Sequence, residues 1–223
     1  MARTKLESRI LPDFTRGEQI FAMVVNICAG GLACVATLLC LVFSLIHRNW
    51  WGLFSSVLYG GLSIFRFTIS SVYHGLKPER AKKVFQVLDK ATLYALFSGA
   101  FAPVLFTCIR QYNLVWFLLS LLFLIAFTAV GVTFTSIDFH QFRFVVTPCC
   151  LALCWFLLFV ISPVYKTYGL LFIILYLSGS LLYTAALVIF EAKIKARYIR
   201  SVFLILTAFA FILQFVAVFK YCI

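Results

Sequence analysis

Residues 168–190 read YGLLFIILYLSGSLLYTAALVIF, twenty-three positions without one charged side chain. A hydrocarbon core about 30 Å thick is crossed by roughly 20 helical residues at about 1.5 Å each. This stretch is long enough and apolar enough to span a bilayer. A membrane strand would alternate apolar and polar positions, and Leu170-Leu171-Phe172-Ile173-Ile174-Leu175 does not. A helix is the remaining way to satisfy every backbone group inside lipid.

Outward from this stretch the same pattern recurs. Spanning helices are expected at 20–46, 51–73, 84–108, 114–135, 142–161, 168–190 and 199–221, joined by short connections. The whole chain is 64% hydrophobic and 12% charged over 223 residues. Soluble proteins run at about 45–50% and about 25%. No soluble core of this length could hide so much apolar side chain. The expected fold is therefore all-α: a polytopic membrane protein with a seven-transmembrane-helix bundle at 18–223 behind a short N-terminal segment, 1–17. The first apolar run continues well past the ~7–15 residues of a signal-peptide core, so it is expected to stay as a helix rather than be cleaved.

The net charge is +12. In a soluble protein that would suggest nucleic acid, but here the basic residues lie between apolar runs. Thirteen Lys and Arg fall on the side that includes Arg3, Lys5, Arg9, Arg16, Lys77, Arg80, Lys82, Lys83, Arg143 and 193–200. Four, Arg48, Arg110, Lys166 and Lys220, fall on the other. The positive-inside rule then places the N-terminus in the cytoplasm and the C-terminus outside, in a multi-pass protein of the cell or plasma membrane. The expected partner is the lipid bilayer, with a lipid-like ligand as a further candidate and nucleic acid excluded. The eight cysteines lie in apolar runs or at the tail and read as small hydrophobes rather than a disulfide framework. Pro103 and Pro148 are expected to kink their spans. Trp50, Trp51, Trp116 and Trp155 read as interface anchors or packing residues.

An ionisable residue inside a span is a functional candidate by default. Arg66, His74, Asp89 and Lys90 qualify. Arg66, Ser70 and His74 recur at i, i+4, i+8 and line one face of the second helix. Asp89 lies about one turn into the third helix, at the depth of His74. Glu18 and Arg200 sit at the same end of their helices, which predicts a polar cluster of Glu18, Arg66, His74, Asp89, Lys90 and Arg200 just inside the cytoplasmic leaflet.

The run Ser70-Ser71-Val72-Tyr73-His74-Gly75-Leu76, followed by Val84-Phe85-Gln86-Val87-Leu88-Asp89, resembles the hemolysin III branch of the progestin and adiponectin receptor superfamily. Gly17-Glu18-Gln19-Ile20-Phe21, Gly99-Ala100-Phe101-Ala102-Pro103, Ile137-Asp138 and Ser201-Val202-Phe203 fall in register with the same family. The resemblance implies a zinc ion held by His74 and by two histidines at i, i+4 in the seventh helix. Asp89 would act through a metal-bound water, beside Ser70 of the Ser-x-x-x-His motif. It further implies a zinc-dependent intramembrane hydrolase of lipid-like amides or esters, while the branch name implies cytolysis.

The chain departs from that pattern at the ligands. The two seventh-helix positions are Arg200 and Leu204, and a third, usually His, is Gln214. The His that commonly follows the Asp is Lys90. One imidazole and one carboxylate are too few for a zinc site of three protein ligands and a water. Cys150 and Cys154 are the other thiol candidates, and their helix places them too deep. No cofactor is expected, and a non-catalytic or repurposed protein is favoured over the hydrolase, with a small transporter or pore as a third class. A carboxylate that has lost its metal must find a cation or a proton. Arg200 is the first expected partner of Asp89, with Lys90 or Arg66 behind it. The alternative is that Arg200 extends to the membrane surface.

Overall fold

The computed structural model describes residues 11, 15–138, 142–191 and 199–223, and among them it is helical with no strand. The helices are α1 (Arg16–Ile46), α2 (Trp50–Gly75), α3 (Glu79–Tyr112), α4 (Leu114–Asp138), α5 (Arg143–Cys154), α6 (Ile161–Glu191) and α7 (Ile199–Tyr221). All but α5 are long and apolar enough to cross a membrane. Arg3, Lys5, Arg9, Lys193, Lys195, Arg197 and most of segment 1–17 lie outside the described residues, and so does the side chain of Arg200.

The distribution of side chains is that of a protein dissolved in lipid. On α1 the buried positions are Ala22, Asn26, Ala29, Ala33, Ala36, Cys40 and Ser44, small or polar residues at helical spacing. The large apolar residues Ile27, Leu32, Val35, Leu38 and Val42 face outward. Small residues inside allow helix backbones to approach closely, which drives association where lipid gives no hydrophobic gain. The α1–α2 contact shows this. Gly60 packs against Thr37, and a Cβ at Gly60 would overlap the threonine side chain. Gly60→Val is expected to destabilise the protein by about 1–3 kcal/mol, read as a lower melting temperature in detergent. An unchanged melting temperature would mean that the two helices can part there without loss.

Helix α3 is the centre of the bundle. It packs against α2, α4, α5 and α7, while α1 packs against α2 and α7, and α6 against α7. Pro103 does not break α3. The helix instead widens into a π-turn over Leu105–Ile109. Proline removes one backbone donor and crowds the preceding turn, and a π-turn is one way to absorb that strain. The hydroxyl of Thr107 donates to Pro103 O at 2.6 Å, so Tyr168, whose phenol lies 2.6 Å from Thr107 Oγ1, is the donor to it. Tyr168→Phe is expected to lower stability by about 1 kcal/mol, checked by thermal unfolding against wild type.

A continuous fifth helix over 142–161 is not what forms. Helix α5 ends at Cys154, a 3-10 turn covers Phe156–Val160, and a new helix begins at Ile161. Trp155 sits at the break and donates its indole N–H to Thr184 at 2.9 Å. The tighter winding turns Phe156 inward, where it meets Phe101 at 4.9 Å and Phe123 at 4.6 Å. Pro163 lies in the first turn of the new helix, where its missing N–H leaves no bond unmade. Helix α6 then bends at Gly169, whose φ of 78° and ψ of −177° suit glycine and strain other residues.

Candidate functional site

The polar face of α2 turns inward as its spacing predicts: Arg66 is 2% exposed, Ser70 0% and His74 7%. Arg66 reaches across to α3, where its Nη1 donates to Asp89 Oδ1 at 2.6 Å. Both side chains are withdrawn from solvent, at 3% and 15% exposure. An isolated carboxylate or guanidinium in this setting is expensive, so each makes the other tolerable. The planar fork of arginine suits a carboxylate better than an ammonium would. Asp89 thus has Arg66 as its partner, one of the two cations placed behind Arg200. A side chain about two and a half turns up the adjacent helix of the same hairpin needs no long-range docking to arrive.

The remaining candidates are distributed as follows. Lys90 follows Asp89 on α3 and is half-buried. Glu18 serves the start of α1: its carboxylate accepts from the Thr15 backbone N–H at 2.8 Å, and its own N–H donates to Thr15 Oγ1 at 3.3 Å. This is a capping box, which satisfies two otherwise orphaned donors. Two of the phenols missed in the sequence lie close by. Tyr183 on α6 is 1% exposed, and neither its hydroxyl nor that of Tyr59 has a hydrogen-bond partner. Their sequence signal was only a Tyr in mid-span, which packing alone would also explain.

Ring contacts set the position of α7. Phe43 meets Phe219 at 5.0 Å, and Phe211 lies 5.6 Å from both Tyr59 and Phe67. Helix α7 therefore runs antiparallel to α2, with Phe211 level with the middle of the 59–67 stretch. Two turns before Phe211, Leu204 comes level with Ser70, one turn from His74. Leu204 is 4% exposed, so the buried side chain at this level of α7 is apolar. Gln214, farther along α7, is 2% exposed and directs its amide toward Ser180 Oγ at 3.5 Å. Cys150 and Cys154 are buried on α5. Among the described residues no three His, Cys, Asp or Glu side chains gather where they could hold a metal ion.

The sequence matches the haemolysin-III related family over residues 20–220. It is 25% identical over 171 residues to a hemolysin-3 of Bacillus cereus, covering 75% of this chain and 77% of that protein. It is 22% identical over 177 residues to a hemolysin-3 homolog of Bacillus subtilis strain 168, covering 76% and 82%. No solved structure matches it. The family match takes in every helix from α1 to α7, with the Ser70, His74 and Asp89 positions inside it, and the chain is a member of the haemolysin-III related family.

Proposed function

We propose that this chain is a seven-span, N-terminus-in member of its family whose hydrolytic metal centre has given way to a buried ion pair, leaving a protein without hydrolase activity. The observation that carries the reading is the Arg66–Asp89 bond at 2.6 Å. The family-type chemistry needs Asp89 to address a metal-bound water, and three protein ligands to hold the metal. Here the carboxylate is held by a guanidinium. The facing α7 positions offer Leu204 and Arg200, neither of which can ligate zinc. The donor set does not fit the metal, so no reaction step is assigned to it.

The seventh crossing in this reading is made in pieces, by α5, the 3-10 turn and the part of α6 before Gly169. Together residues 143–168 extend about 40 Å at helical rise, enough to cross. The orientation rests on the thirteen-to-four Lys and Arg imbalance. Reporter fusions after Phe190 and after Ile223 should read cytoplasmic and external respectively, and the reverse pattern would overturn the topology. The function itself is tested by incubating the purified, reconstituted protein with a long-chain lipid amide and a lipid ester. Wild type and Asp89→Asn are expected to release equal, background amounts of fatty acid. Release by wild type that Asp89→Asn abolishes would restore the hydrolase reading.

A further inference from the structure

The α2–α3 hairpin carries a second polar stretch beside the ion pair. Two contacts fix the register of these antiparallel helices: Arg66 with Asp89 at 2.6 Å, and Lys82 Nζ over the Tyr73 ring at 6.0 Å. Between them Ser70 comes level with Gln86. Lys82, Gln86 and Asp89 recur at i, i+4, i+7 and share one face of α3. The opposing face of α2 carries Arg66, Ser70 and His74. The result is one polar seam closed off from solvent, with Ser70 0%, Lys82 8% and Gln86 9% exposed.

The charges in this seam do not cancel. Arg66 and Asp89 neutralise each other, and Lys82 adds one positive charge. Three carboxylate side chains on α1 and α3 have bonds of their own. Glu18 closes the α1 cap, Glu79 bonds Lys83 at 2.9 Å, and Asp89 holds Arg66. The Tyr73 ring stands at the outer limit of a cation–π contact. One turn deeper, Ser70 Oγ is buried without a hydrogen-bond partner. The seam therefore presents an ammonium, an amide N–H and a hydroxyl, all able to donate, and among the described side chains no carboxylate bonds Lys82, Gln86 or Ser70. Val72, Val84 and Leu88 lie on the outer faces of the same two helices and present apolar surface to the surroundings.

We propose that the seam between Ser70, Lys82 and Gln86 binds the phosphate of an anionic lipid, entering at the end of the bundle where α2 hands over to α3. A phosphate carries several acceptor oxygens, which suits donors spread over a turn of helix, and charge-assisted bonds from a buried ammonium are the strong kind. Val72, Val84 and Leu88, on the outer faces of the same two helices, give acyl chains apolar surface to lie along, which a free phosphate would not need. Neither Lys82 nor Gln86 belongs to the metal site implied by the family, so the inference stands whether or not Asp89 ever meets a metal.

The test uses the full chain in neutral detergent, with bound lipid counted by native mass spectrometry during titration with phosphatidylglycerol or phosphatidylcholine. Phosphatidylglycerol is expected to bind and phosphatidylcholine is not. Lys82→Gln should weaken phosphatidylglycerol binding at least about tenfold, because a buried charge-assisted contact is removed. Lys83→Gln removes the same formal charge one residue along, from a lysine already paired with Glu79, and should weaken binding less than about twofold. Gln86→Leu, which keeps the lysine, should weaken it several-fold and serves if Lys82→Gln does not fold. Displacement of the lipid by inorganic phosphate at millimolar concentration would assign the seam to the free anion instead. Equal losses in Lys82→Gln and Lys83→Gln, or no loss in Lys82→Gln and Gln86→Leu, would reduce the seam to general surface charge and overturn the proposal.

Discussion

Arg66→Leu is expected to destabilise the folded protein by about 3–5 kcal/mol, the largest loss of any single substitution in the bundle, because it leaves a buried carboxylate without its partner. The guanidinium is 3% exposed and the carboxylate 15%, so water does little to replace the lost bond. Arg66→Leu/Asp89→Leu should recover most of that loss, since the double change removes the stranded charge together with its partner. Unfolding in mixed detergent micelles, followed by tryptophan fluorescence, measures both variants. Equal losses in the single and double variants would mean that the two residues act independently and that Asp89 takes its charge balance from elsewhere, Arg200 first.

The second large effect is a gain. Arg66→Leu/Arg200→His/Leu204→His frees Asp89 and puts imidazoles at i, i+4 on α7, level with His74. With three imidazoles and a water position the set becomes that of an open zinc site. Zinc at about 100 times its dissociation constant should then raise the stability of this variant by about 2.7 kcal/mol, with no such response in wild type. A triple variant that ignores zinc would place Leu204 away from His74 and undo the helix register derived from Phe211.

Most of the fold was legible in the sequence because lipid imposes one strong rule, and runs such as 168–190 obey it plainly. What the sequence concealed follows from effects that hydropathy does not register. The fifth span looked continuous because Trp155 to Val160 are all apolar. Pro163 was the available signal, since a proline there fits the first turn of a new helix better than the middle of an old one. Pro103 raised the expectation of a local disturbance of the helix, and a π-turn follows it, with Thr107 supplying a bond to the Pro103 carbonyl. The inward face formed by Arg66, Ser70 and His74 was legible from spacing alone. The partner of Asp89 was harder. Three cations lay within plausible reach, and only the register of the α2–α3 hairpin decides in favour of Arg66. Glu18 showed the opposite ambiguity, a charge at a helix end that serves the helix itself through Thr15.

The central claim is that an ion pair stands where the family's hydrolytic metal would. Its most direct test is the zinc content of the unmodified chain, purified in detergent, loaded with excess zinc and then dialysed against metal-free buffer. Elemental analysis is expected to find zinc far below one ion per chain, with no difference between wild type and His74→Ala. A retained zinc close to one per chain that disappears in His74→Ala would contradict the claim, because His74 would then be a working ligand and Asp89 free to serve the metal.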